Sequence, residues 1–237
     1  MSNPIILALD VPERDRALEL ARTVGREVGM VKIGLEGFVA HGPSLVREIR
    51  DLGLDVFLDL KLHDIPRTAA AAARHARALG VRLFTVHASG GAEMVRACRD
   101  AVGDDVHLVA VTVLTSLDDD DLADVGFHGQ ATTVAARLGA LAVSSGAHGL
   151  VCSALDLPAL AGVGGTRVVP GVRQSDTTVH DYRSAHWRPL DVADDQKRVA
   201  TPREALKAGA TWLVIGRPIL EARDPVAAAR AITAELA

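Results

Sequence analysis

A single-domain (β/α)8 TIM barrel is the fold this sequence predicts, and three observations carry the prediction. Short apolar runs rich in Val, Ile and Leu alternate with longer helical stretches along all 237 residues. Eight such units recur about 25–30 residues apart, which fits a barrel of ~250 residues better than an open doubly wound sheet. Several of the apolar runs carry a charged residue at or near their C-terminal ends, the face at which barrels of this kind build their sites. Alternation by itself does not require the sheet to close, so an open sheet stays as the alternative.

Taken in order, the first run, IILALD (5–10), ends in Asp10 and is followed by the amphipathic stretch ERDRALELARTVG. The second, MVKIG (30–34), carries Lys32, and PSLVREIRDLG supplies the next helix. The third, DVFLDLK (55–61), ends with Asp59 and Lys61. Side chains alternate across a strand, so these two share a face while Leu60 takes the other. Leu60 suits the layer facing the helices, which turns both charges toward the barrel mouth. RLFTVHA (82–88) contains His87, and Thr115 directly follows HLVAVTVL (107–114). GLVCSA (149–154), TRVVPGV (166–172) and TWLVIGR (211–217) complete the set, the last ending in Gly216 and Arg217. PREALKAGA precedes the final strand, and Gly25, Gly53, Gly80 and Gly209 stand where helix C-terminal caps are expected. The connections 115–129 and 173–200 exceed the ~12–15 residues that compact domains usually leave unstructured, and both follow strands, hence lie over the predicted active face.

Composition narrows the function. Aromatics make up only 3% of the chain, so the core must be assembled from Ala, Val, Leu and Ile. A formal net charge of −4, with no Lys/Arg block, argues against a nucleic-acid binder. Cys98 and Cys152 sit inside apolar segments without a CxxC pattern and read as buried free thiols. No apolar run reaches the ~18 residues of a membrane span. MSNPIILALD runs straight into a strand, so a cytoplasmic protein is expected.

A lone charged residue at a strand end is ordinarily a solvated cap. At least four strands here deliver one to the same end, which points to a functional cluster of Asp10, Lys32, Asp59 and Lys61. IGRPI places Gly216 and Arg217 just ahead of a helical stretch, where backbone N–H groups and a guanidinium can hold a phosphate. Other signals read as structural. DDDD (118–121) is a solvated loop or helix start rather than a metal site, and ASGG (88–91) is a strand-to-helix turn. His63 and His87 are expected to make orienting hydrogen bonds, and His107, His128 and His148 show no metal-ligand spacing.

ALD, VKIG, DLKLHDIP, FTVHASGG, VTVLTS, VPGVR, DDQKRVATP and VIGRPI, in that order, resemble the sequence blocks of the orotidine 5′-phosphate decarboxylase family. The resemblance spans the first strand to the eighth. It implies decarboxylation of orotidine 5′-monophosphate to uridine 5′-monophosphate, with neither metal nor organic cofactor. Asp10 and Lys32 would contact ribose hydroxyls, Asp59 would lie beside the substrate carboxylate, and Lys61 would donate the proton. Asp64, Ile65 and Thr68 would reach into the site of a neighbouring subunit, making a homodimer with shared active sites. Thr115 would meet the pyrimidine, Pro170 would line the substrate site, and Gln196 would bridge base and phosphate. Gly216, Arg217 and Arg173 would hold the phosphate, with Arg183 or Arg188 as alternatives to Arg173. The chain departs from the family pattern at Arg67, usually Asn, and at Val169, usually Thr; the stretch from Arg173 to Gln196 is also longer, and includes His180, His186 and Trp187.

That chemistry explains why charges would crowd a strand end. Loss of carbon dioxide from C6 leaves an electron pair in the ring plane, where delocalisation helps little. An ammonium at C6 can stabilise the pair and then protonate it, and Asp59 and Asp64 on either side would favour the charged form of Lys61. The nearest rivals are a hexulose phosphate synthase-like aldolase and a keto-gulonate phosphate decarboxylase, which share the acid–lysine–acid motif but use Mg²⁺. A catalytically silent binder of phosphoribosyl nucleotides is the rival from another class.

Overall fold

The computed structural model describes residues 3–172 and 200–236, and within them the sheet closes into a barrel of eight parallel strands in chain order. The strands are β1 (Ile5–Ala8), β2 (Met30–Gly34), β3 (Val56–Leu62), β4 (Leu83–His87), β5 (His107–Val111), β6 (Gly149–Val151), β7 (Thr166–Val169) and β8 (Trp212–Ile215). All eight predicted runs form strands. Several stop short of their predicted ends because the ladder gives out first, as β1 does at Ala8 before Asp10 and β5 at Val111 before Leu114.

Around the barrel run α1 (Arg14–Val24), α2 (Leu35–Asp51), α3 (Pro66–Ala78), α4 (Gly91–Val102), α5 (Asp119–Asp124), α6 (Ala131–Ser144), α7 (Pro202–Lys207), α8 (Arg217–Leu220) and α9 (Pro225–Leu236). In α2 the helix breaks at Gly42, whose φ of 63° and ψ of −161° interrupt it just before Pro43 restarts it. Gly53, Gly80 and Gly209 follow their helices in the left-handed region, as capping requires. Gly25 does not. It continues into a short 3-10 turn, and a Cβ there would stand 2.5 Å from a methyl of Leu54, so space rather than conformation calls for glycine.

The period of two along each strand separates two cores. Ile6, Ala8, Met30, Phe57, Leu83, Val109, Val111, Val151, Val168 and Val214 fill the barrel interior. Their strand neighbours, including Ile5, Leu7, Val31, Ile33, Leu58 and Phe84, pack outward against the helices. Small residues on the inner helix faces, such as Ala69, Ala73 and Ala76 on α3, let helices sit close to the sheet with few aromatics. The barrel interior is thus plugged by apolar side chains at its lower end, and polar groups begin only above them. Among the described residues no helix is long and apolar enough to cross a membrane.

Candidate active site

Strand parity places the charges. Phe57 faces the barrel interior and Leu58 the helices, so Asp59 turns inward, Leu60 packs outward, and Lys61 turns inward again. Ladder register aligns the neighbouring strands, with Ala8 opposite Lys32 and Gly34 opposite Asp59. The inward residues of three adjacent strands therefore meet at one level.

Four charges form a chain of alternating sign. The ammonium of Lys32 donates to Asp10 Oδ1 at 3.0 Å and stands 3.8 Å from Asp59 Oδ2. The ammonium of Lys61 donates to the same Asp59 Oδ2 at 2.8 Å. Side chains of Lys32 and Asp59 are each only 10% exposed, whereas that of Asp10 is 52% exposed. Removing Asp59, the buried anion of the set, would leave the buried Lys32 ammonium without it, and breaking a buried pair in this way costs about 3–5 kcal/mol. Gly34 leaves room for the array, since a Cβ there would lie 2.9 Å from both Asp10 Oδ1 and Lys32 Nζ.

The backbone at Lys61 is unusual. Its φ is +52°, the one positive value among the described non-glycine residues, and costs about 1–2 kcal/mol for an L-residue. The β3–β4 register shifts there, from Leu58 opposite Phe84 to Leu62 opposite Val86. Thr85, fully buried on β4, meets the irregular segment: its Oγ1 accepts from the Lys61 N–H at 2.8 Å and donates to Asp59 Oδ1 at 3.0 Å.

Above the apolar plug opens a cavity of about 750 Å³. Asp10, Lys32, Asp59, Lys61, Thr115, Pro170, Gly216 and Arg217 all line it, over a floor that includes Phe57, Val111, Val151 and Val214. The predicted site residues from six different strands or strand ends are thus brought together. Asp64, Ile65 and Thr68 are not among them; Asp64 and Ile65 lie exposed on the segment between β3 and α3, and Thr68 is exposed in the first turn of α3. Within the single chain the Asp64 carboxylate accepts from the Ile65 N–H at 2.7 Å. Among the described residues the acid paired with Lys61 is Asp59, and Asp59 is the group shared by two lysines. Arg173 and Gln196, with the alternatives Arg183 and Arg188, lie outside the described residues.

Asp118 caps α5 in a reciprocal arrangement with Asp121, and Asp119 Oδ1 accepts from the Ala131 N–H at 2.7 Å, so DDDD is a helix start. Among the described residues no three His, Cys, Asp or Glu side chains are placed to hold a metal ion. His148 Nδ1 accepts from the Leu108 N–H at 2.9 Å and its ring stacks on His107. His63 and His87 face each other with ring centroids 5.5 Å apart, and the orienting hydrogen bonds expected for them are not found among the described residues. Sequence reasoning missed Thr85, a polar residue on the inward face of β4 two positions before His87.

The sequence profile of the Orotidine 5'-phosphate decarboxylase / HUMPS family matches residues 3–232. The orotidine 5′-phosphate decarboxylase of Anaeromyxobacter sp. (strain K) is 49% identical over 99% of both chains. That of Novosphingobium aromaticivorans is 48% identical over 100% of both. Among solved structures, orotidine 5′-phosphate decarboxylase from Lactobacillus acidophilus is similar at a TM-score of 0.83, with 31% identity and 99% of each chain covered.

Burial drives the imidazole of His87 down to about 4, with the positive fields of His63 and Lys61 adding to the shift and Asp59 opposing it. The ring is therefore neutral at pH 7. On acidification the unfolded chain takes up this proton first, near the ordinary value of 6.5, while the folded chain resists until about 4. Folding stability is lost through this window as pH falls, and is untouched above it. A His87→Gln variant is expected to lose less stability than wild type between pH 7 and pH 4.5 in urea unfolding; parallel losses would contradict the assignment.

Proposed function

The chain belongs to the Orotidine 5'-phosphate decarboxylase / HUMPS family, and on that premise we propose that it converts orotidine 5′-monophosphate to uridine 5′-monophosphate and carbon dioxide, without metal or organic cofactor. The observation that carries the reading is the Lys61 ammonium, held 2.8 Å from a buried carboxylate at the wall of a nucleotide-sized cavity.

The reacting ring is oriented with its C6 carboxylate at Asp59 and Lys61. As the bond from C6 to the carboxylate breaks, its electron pair stays on C6 and carbon dioxide leaves. The Lys61 ammonium stabilises that pair and then transfers a proton to C6, forming the new C–H bond. Its field is fixed in advance by Asp59, so no reorganisation is needed at the barrier. Asp59 also repels the incoming carboxylate, a stress relieved as it departs, while the larger contribution is stabilisation of the transition state by Lys61. Asp10 and Lys32 bind the ribose hydroxyls, and Thr115 and Pro170 contact the base. Gly216 and Arg217 hold the phosphate together with Arg173 or one of its alternatives, Arg183 and Arg188, and Gln196 bridges base and phosphate. Binding energy gathered at that remote end positions the ring.

The active form is a homodimer with shared sites. Two facts support this: Asp64, Ile65 and Thr68 are exposed, Ile65 at 63%, and Leu35 and Val39 on α2 are 59% and 75% exposed. A second chain would cover such side chains and bring Asp64 to its neighbour's Lys61. Buried free thiols at Cys98 and Cys152 fit a reducing compartment, the cytoplasm.

Purified protein mixed with orotidine 5′-monophosphate and EDTA is expected to consume the substrate absorbance at an undiminished rate. Loss of activity with chelator would favour the Mg²⁺-dependent members instead. Lys61→Ala should still bind a product analogue but lose turnover by about 10³-fold or more; retained turnover would overturn the proposed proton donor. Mixing Lys61→Ala chains with Asp64→Asn chains should restore activity, since each hybrid dimer has one site with both residues intact. No recovery on mixing would count against shared sites.

A further inference from the structure

We propose that Thr85 is a positioning residue for the decarboxylation, holding Asp59 and Lys61 in their reactive arrangement through a single hydroxyl. The inference rests on the decarboxylase reading and assigns to β4 a role in that same site.

Thr85 stands on the inward face of β4 between Leu83, which belongs to the barrel plug, and His87. It is 0% exposed, so water cannot serve its hydroxyl. Both of its side-chain bonds run to the charged strand. A backbone N–H can only donate, so the bond from Lys61 N fixes Thr85 Oγ1 as acceptor there. The hydroxyl proton then points to Asp59 Oδ1. Direction is thereby determined without ambiguity at either end.

Two consequences follow for the reacting groups. Asp59 Oδ1 is occupied by a neutral donor, which leaves Oδ2 as the oxygen facing both Lys61 and Lys32. The carboxylate cannot rotate without breaking the bond to Thr85. The second consequence concerns Lys61. Between their shared pairs, β3 advances four residues while β4 advances two, so the Lys61 N–H has no β4 carbonyl to meet. The Thr85 hydroxyl takes the place of that carbonyl and secures the positive φ from which the lysine side chain starts.

Neither bond of the Thr85 hydroxyl runs to Gly216 or Arg217, the residues at the phosphate end of the cavity, so a fault at Thr85 should appear chiefly in kcat and little in KM. Thr85→Val keeps the shape and removes the hydroxyl. It is expected to lower kcat about 10–100-fold, the effect of losing a hydrogen bond to a charged group, with KM within about 3-fold of wild type. Thr85→Ser restores the hydroxyl and should return kcat to within about 3-fold of wild type. If Thr85→Val does not fold, Thr85→Ala carries the same expectations. Unchanged kcat in the hydroxyl-free variant, a rise in KM in place of the fall in kcat, or a Thr85→Ser variant as impaired as Thr85→Val would each overturn the inference. Inactive wild type would instead overturn the decarboxylase reading itself.

Discussion

The site depends on one carboxylate shared by two ammonium groups. Asp59 lies 2.8 Å from Lys61 Nζ and 3.8 Å from Lys32 Nζ, and Asp10 neutralises the far side of Lys32. Without the anion between them the two lysines would repel each other with no shared counter-ion beside them. With it, each charge is bounded by its opposite. Such an array is not a device for stability, because desolvating each ion costs several kcal/mol and replacing a whole buried network with apolar groups is often neutral or favourable. Its retention at a cavity wall is understandable when the field serves a reacting group.

The barrel makes this arrangement possible by being closed and by being filled. Closure gives β1, β2 and β3 fixed neighbours, so the register that sets Gly34 opposite Asp59 cannot slip without carrying side chains to the wrong face. Filling by Phe57, Leu83, Val109 and their neighbours blocks the lower end, which confines the polar groups to the mouth. Local departure from regularity is limited to where chemistry needs it. The positive φ of Lys61 and the shifted β3–β4 register occur together, directly beside Asp59 and Thr85. The rest of the sheet supports that strain.

Much of this was legible in the sequence because it depends on short periods. Alternation along VFLDLKL fixes which side chains share a face, and Asp59 and Lys61 fall where parity puts them. All eight strands were readable because β-branched runs between helical stretches have few other solutions. What could not be read depends on partners far along the chain or on a carboxylate's rotation. Asp64 follows Lys61 by three positions, yet the strand ends between them and its carboxylate accepts from the N–H of the next residue, Ile65. Thr85 is an ordinary strand residue by composition; its importance arises from a contact 26 residues distant with Asp59. Gly25 is similar, since only the side chain of Leu54 across the packing layer excludes a larger residue. His63 and His87 meet each other, and among the described residues neither ring has a hydrogen-bond partner, which no local pattern announces.

The central claim, that Asp59 is the anion binding Lys61 into the array, is tested most directly by a double-mutant cycle on folding stability, which needs no substrate. Asp59→Asn, Lys61→Met and the double variant would be compared with wild type by urea unfolding at pH 7. Asp59→Asn alone leaves the ammonium groups without their shared counter-ion, and Lys61→Met then removes one of the stranded charges. The double variant should therefore be more stable than the sum of the single losses predicts, by about 1 kcal/mol given the partial exposure of Lys61. Additivity within about 0.5 kcal/mol would contradict the account.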